Sequence, residues 1–278
     1  MRKKITAIVL CVAMLAIAIA GGTLAYFTDT DEATNTFTSG NVQIEQYEKD
    51  RNGNAFVQDQ KLMPIVDDKK DVNGYHLGGN YIDKIVTVEN TGTEAAYVRT
   101  FLAIPAALDD GPTTFDAGEN ILHWNGASAD DTFGAANWGG TIENDWYWCT
   151  NTENDYPSAA TADLPNKGWN FYQSEIDGVL YNVYVATHAS AVEAGETTAP
   201  NLFGLYLDKD VDYDADQGKY IDKYDQVIDF DLTDVNVLVI SEAVQAEGFD
   251  ATDADVAFYA LDKAFGKIGT YCPFGGTV

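Results

Sequence analysis

Apolar and polar positions alternate along much of the chain with a period of two. Val42, Ile44 and Gln46 fall on one side and Gln43, Glu45 and Tyr47 on the other, just after the Ser39-Gly40 break, which predicts a half-buried strand. Residues 82–88 and 97–104 read the same way, and Asn90-Thr91-Gly92 between them supplies turn chemistry, so the pair is expected to form a hairpin. Further strands are predicted at 146–149, 169–173, 179–187, 202–207, 227–232 and 235–240. So many short strands joined by polar turns predict a mainly β fold, a jelly-roll-like β-sandwich.

Two regions depart from this pattern. Between Asp109 and Gly140 the chain is rich in Gly, Ala, Asp and Asn around His123, Trp124 and Trp138, and the aromatic stretch after it extends this insertion to about residues 109–168. A long inserted loop region is expected there. Near the C-terminus, residues 241–246 favour helix, and Thr252-Asp253-Ala254-Asp255 has capping-box spacing ahead of Val256, Ala260, Leu261 and Ala264, with Gly266 placed to stop the helix. A short C-terminal helical element is predicted to close the fold.

The first residues follow a third pattern. Arg2, Lys3 and Lys4 precede an apolar run over residues 5–20 interrupted only by Thr6, and small residues follow, which is the layout of a secretory signal. Cleavage is expected between Ala25 and Tyr26, with Ala18-Ile19-Ala20 as a rival site. An uncleaved anchor is the other reading, because the stretch through Ala25 is nearly long enough for a bilayer core of ~30 Å. The chain thus divides into a signal peptide at 1–25, an N-terminal segment at 26–40 and a β-sandwich domain at 41–278.

Charge narrows the partners. The 278 residues carry 16 Lys and Arg against 44 Asp and Glu, a net charge of −28, and losing Arg2, Lys3 and Lys4 with the signal peptide takes it to −31. Such a surface repels phosphate backbones and anionic lipids, which excludes nucleic acid and limits membrane contact to the signal peptide before cleavage. Cys149 and Cys272 remain after cleavage. They form either one bridge, worth on the order of 4 to 5 kcal/mol for so long a loop, or two packed thiols.

No catalytic constellation is legible. His76, His123 and His188 lie in separate segments without a His-Glu-x-x-His pair, neither cysteine has a neighbouring histidine, and no nucleophile elbow or phosphate-cradling glycine loop occurs. The run holding Asp210, Asp212, Asp214 and Asp216 offers oxygen ligands at every second residue, as calcium loops do. It is not an EF-hand: counted from Asp212, glycine arrives one place late and Lys223 stands where a bidentate acid is needed. A solvated acidic turn and an irregular calcium site both remain open. Trp124, Trp138, Trp146, Trp148 and Trp169 are either core residues or a sugar-binding face.

The stretch Gly21-Gly22-Thr23-Leu24-Ala25-Tyr26-Phe27-Thr28-Asp29-Thr30, followed by Asn35-Thr36-Phe37-Thr38-Ser39-Gly40-Asn41-Val42, resembles the signal-peptide junction and first strand of the TasA and camelysin (CalY) family. The similarity continues at Lys84-Ile85-Val86-Thr87-Val88-Glu89-Asn90-Thr91-Gly92, Tyr97-Val98-Arg99, Ala194-Gly195-Glu196-Thr197-Thr198 and Glu242-Ala243-Val244-Gln245-Ala246-Glu247-Gly248-Phe249. The resemblance implies a secreted protein processed by a SipW-type signal peptidase. It also implies a jelly-roll subunit that polymerises into biofilm matrix fibres at the cell surface by donor-strand complementation, its freed N-terminal segment pairing with the next subunit. Phe27, Phe37, Val42 and Ile44 are then the expected assembly residues, and self is the expected partner. Camelysin carries a metalloprotease label, which enters as an alternative, and a monomeric glycan-binding adhesin is a third reading.

Overall fold

Twelve strands and one helix account for the regular structure of the described residues, in the order β1 (Thr28–Asp31), β2 (Ile44–Lys49), β3 (Ile82–Asn90), β4 (Ala96–Pro105), β5 (Leu122–Gly126), β6 (Trp146–Cys149), β7 (Phe171–Ile176), β8 (Val179–His188), β9 (Leu202–Leu207), β10 (Asp212–Asp214), β11 (Lys219–Ile221), β12 (Leu238–Gln245) and α1 (Ala254–Ala264). The structure, a computed structural model, describes residues 28–31, 42–58, 60–66, 79–109, 120–126, 146–149, 171–247, 254–267 and 271–276. The strands form three antiparallel sheets. The largest runs β1-β12-β4-β8-β6, with β7 also paired to β8, the second runs β2-β3-β9-β5, and β10-β11 is a separate hairpin.

Alternation explains why the two large sheets stack. Along β4, Val98, Leu102 and Ile104 are buried together with Val86 and Val88 of β3, Leu205 and Leu207 of β9 and Trp124 of β5, while Phe101 and Ala103 point the other way. That second face is also covered. Val183 and Val185 of β8 and Cys272 bury against Phe101, and Ala254, Ala257, Phe258 and Leu261 of α1 bury against Val244. The helical residues sit at i, i+3, i+4 and i+7, one apolar stripe. The outcome is a sandwich whose larger sheet is covered on its outer side by α1 and residues 271–276.

The mainly β expectation therefore holds, whereas this strand order does not by itself establish jelly-roll connectivity, because β2 and β3 stay in one sheet and β6, β7 and β8 in the other. Three local expectations are corrected. Residues 82–88 and 97–104 do not form a hairpin: β3 pairs with β2 and β9, and β4 with β12 and β8. The turn between them is a corner from one sheet to the other, held by Asn90, whose Nδ2 donates to the carbonyls of Glu94 and Val192 at 2.8 Å. Residues 241–246 are not helical; positions 241–245 complete β12, where two neighbouring strands satisfy the backbone and override helix propensity. Residues 227–232 form no strand, and only Val227 bridges to Ile221.

The helix ends as its sequence predicts, with Gly266 at a φ of +65° and the amide of Lys267 donating to the carbonyl of Asp262. Another glycine is required by proximity. A Cβ on Gly204 of β9 would lie 2.4 Å from the carbonyl oxygen of Ile82 and 2.5 Å from the Tyr81 ring, beside the register shift in β3. Gly204→Ala is expected to cost about 1–3 kcal/mol through overpacking, read as a lower urea midpoint. An unchanged midpoint would mean that β3 and β9 part without cost.

Candidate functional site

β12 is flanked on one side by β4 and on the other by β1, a four-residue strand that, among the described residues, pairs with β12 alone. The register pairs Thr28 with Val244, Asp29 with Ala243, Thr30 with Glu242 and Asp31 with Ser241. The side of β12 away from β4 is thus where residues 28–31 pair. Of the assembly residues expected from the sequence, Phe27 and Phe37 lie outside the described residues, as do the cleavage residues Ala25 and Tyr26. Val42 and Ile44 are buried in the sandwich core of their own chain.

Two polar networks hold this strand-accepting edge. On the outer face, Arg99 of β4 is fully buried and grips Glu242 of β12 at 2.6 and 2.9 Å and Asp262 of α1 at 2.6 and 3.0 Å. The phenol of Tyr271 donates to Glu242, and the guanidinium lies 4.4 Å from the Phe258 ring centre and 4.9 Å from that of Phe101. Burial pushes the Glu242 carboxyl up, but Arg99, Lys267 and the Tyr271 hydrogen bond outweigh it, and its pKa lies below the ordinary value. Burial, then the charge of Glu242, pushes the Tyr271 phenol up, so it remains a donor. Between the sheets, Asn201 donates to Thr100 at 2.8 Å, Thr100 and Ser241 share a hydrogen bond of 2.8 Å, and Ser241 donates to Gln46 of β2 at 2.7 Å. Sequence reasoning missed both networks. The available signal was a lone cation, Arg99, inside a mostly apolar strand.

The candidate calcium residues lie on the β10-β11 hairpin and its flanks. Asp214 accepts hydrogen bonds from the amides of Asp216 and Gln217 and from the Gln217 side chain, which holds its pKa below the usual value. Asp210, Asp212 and Asp216 are exposed. Among the described residues no three of His, Cys, Asp and Glu are grouped as metal ligands would be.

His123 and His188 do not converge: His123 Nε2 lies 3.0 Å from Asp208 on the smaller sheet, with its ring stacked on Tyr206, whereas His188 Nδ1 meets the carbonyl of Ser190 at the end of β8; His76 lies outside the described residues. Among the described residues these two histidines do not share a zinc site. Of the tryptophans, Trp124 and Trp146 are buried core residues, so neither can line a sugar-binding face; Trp138, Trp169 and the side chain of Trp148 lie outside the described residues. Cys272 is a buried free thiol in the outer-face cluster. Cys149 ends β6 opposite Val185, and its side chain is not among those described.

Fold and site together define a mainly β protein with two large packed sheets, the larger of which has β1 at its edge. Residues 1–64 match the family described as Camelysin metallo-endopeptidase, and the resemblance to the TasA and camelysin proteins is borne out over that stretch. No curated protein and no solved structure matches the chain. Among the described residues, no helix is long and apolar enough to cross a membrane.

Proposed function

We propose that this protein is a secreted subunit of an extracellular fibre at the cell surface, and that its activity is self-assembly rather than catalysis. The observation that carries the reading is the pairing of residues 28–31 with the open side of β12. A strand that belongs to an edge and to no hairpin can serve the edge of a second copy equally well. Twelve residues separate Asp31 from Ile44, a span of at most about 40 Å when extended, enough for β1 to leave its own sandwich and reach a neighbour. Strand addition supplies the backbone hydrogen bonds that edge recognition uses, and a head-to-tail contact of this kind does not close, so it propagates a filament.

In this reading residues 1–25 hold the donor segment at the membrane until a SipW-type peptidase releases Tyr26 as the new N-terminus. The competing reading, a secreted metalloprotease, is favoured by the name of the matched family alone. Purified exported protein distinguishes them. The fibre reading expects filaments by negative-stain microscopy, no stoichiometric zinc and no casein hydrolysis. Tightly bound zinc with chelator-sensitive proteolysis would overturn it.

A further inference from the structure

The edge of β12 is not open along its whole length. Two residues before Ser241, at the next position of the same parity, the carbonyl of Val239 accepts a hydrogen bond of 3.3 Å from Gln46 Nε2. The Gln46 amide is fixed from its other end by the Ser241 hydroxyl on Oε1, which in turn is fixed through Thr100 by Asn201. This is a directed chain of side-chain donors that begins beside β9, crosses β4 and β12 and ends on the edge. Its last member stands where the next rung of an incoming strand would go.

We propose that Gln46 is the register stop of this edge, limiting an incoming strand to residues 241–244 of β12 and fixing which residues of a second copy's N-terminal segment pair there. The inference rests on the reading that this edge accepts the donor strand. A slip of one residue turns every side chain to the opposite face. A slip of two residues preserves the faces and is the alternative that side-chain facing does not distinguish. Sliding toward Leu238 sets Asp31 against Val239, where Gln46 already occupies the carbonyl. Sliding the other way abandons Ser241. In a filament each two-residue slip would change the axial step by about 7 Å, so one blocked position sets the repeat.

The test uses exported protein carrying Gln46→Asn, which keeps the amide but shortens its reach, and Gln46→Met, which keeps the bulk but removes the side-chain hydrogen bonds to Val239, Ser241 and Glu48. Amide hydrogen exchange is followed on the monomer. In the unaltered protein protection is expected to stop at Asp31; in both variants it should extend to Ala33, slowing that amide at least tenfold, and filaments should show a second axial repeat displaced by about 7 Å. Protection ending at Asp31 in folded variants, with a single repeat, would overturn the proposal. Should Gln46→Met fail to fold, Gln46→Asn decides. Because exchange is read on the monomer, a protein that never forms filaments would sink the fibre reading without touching the register result. Filaments of unchanged repeat would sink the register stop alone.

Discussion

Removing residues 26–38 is expected to leave a folded monomer that no longer forms filaments. β1 adds four paired positions to β12, and each backbone hydrogen bond there contributes roughly 0.5 to 1.5 kcal/mol net. The core formed among the other described residues is built from β2 to β9, β12, α1 and their connections, and is expected to remain. The loss to the fold is therefore modest, while the loss to assembly is complete, since the strand that joins one subunit to the next is gone. An uncovered edge is also a template for unspecific pairing, so the truncated protein should associate irregularly at high concentration, and a synthetic peptide of residues 26–40 should suppress that association. The readouts are circular dichroism for folding and electron microscopy for filaments. Filaments identical to those of the full exported chain would show that assembly does not use this segment.

Replacing Arg99 carries the largest expected effect on stability. Arg99→Met leaves Glu242 and Asp262 buried without their cation, and breaking a buried ion pair in this way costs about 3–5 kcal/mol. Lys267, 4.0 Å from Glu242, and the Tyr271 phenol soften the loss without replacing a guanidinium held between two rings. The sign of the pH dependence follows from the depressed pKa of Glu242. In the unaltered protein its stabilising contribution is fully present above the unfolded value of about 4.3 and is lost as pH falls through the folded value. In Arg99→Met that dependence weakens, because the abandoned Glu242 carboxylate gains by protonation. Urea titrations at pH 7 and pH 5 should show a smaller difference between the two proteins at the lower pH. A difference that grows on acidification would contradict the assignment of Arg99 as the partner that holds Glu242 charged.

Acidification therefore acts in two opposed ways. Copies of charge −28 or beyond repel one another, and lowering the net negative charge relieves that repulsion. Going further protonates Glu242 and loosens β12, the strand that accepts the donor in the proposed assembly, from β4 and α1.

The elements most legible in the sequence were those whose pattern is local. β8 and β9 show as apolar runs between turn residues, and α1 shows through its capping spacing and Gly266. The errors came where a distant partner decides. Residues 241–245 carry helix-favouring Glu, Ala and Gln, yet β4 and β1 on either side make them a strand. The turn at 90–92 looked like a hairpin because the sequence displays a turn but not which sheet each flanking strand will join. The N-terminal segment was legible as a segment, whereas the pairing of residues 28–31 with β12 joins positions more than two hundred residues apart in sequence. The Arg99 network and the Gln46 chain were hidden for the same reason, since each joins residues from several strands that meet only after folding.

The measurement that addresses the central claim most directly asks whose edge the N-terminal strand occupies. Copies labelled with nitrogen-15 and carrying a photo-crosslinking amino acid at Phe27 are mixed with unlabelled copies, allowed to assemble, irradiated and analysed by mass spectrometry. Donor-strand assembly predicts crosslinks between labelled N-terminal peptides and unlabelled peptides of the β12 region, abundant in filaments and absent from the monomer fraction. Crosslinks confined to peptides of the same isotope within filaments would mean that every copy keeps its own β1, and the account would be wrong.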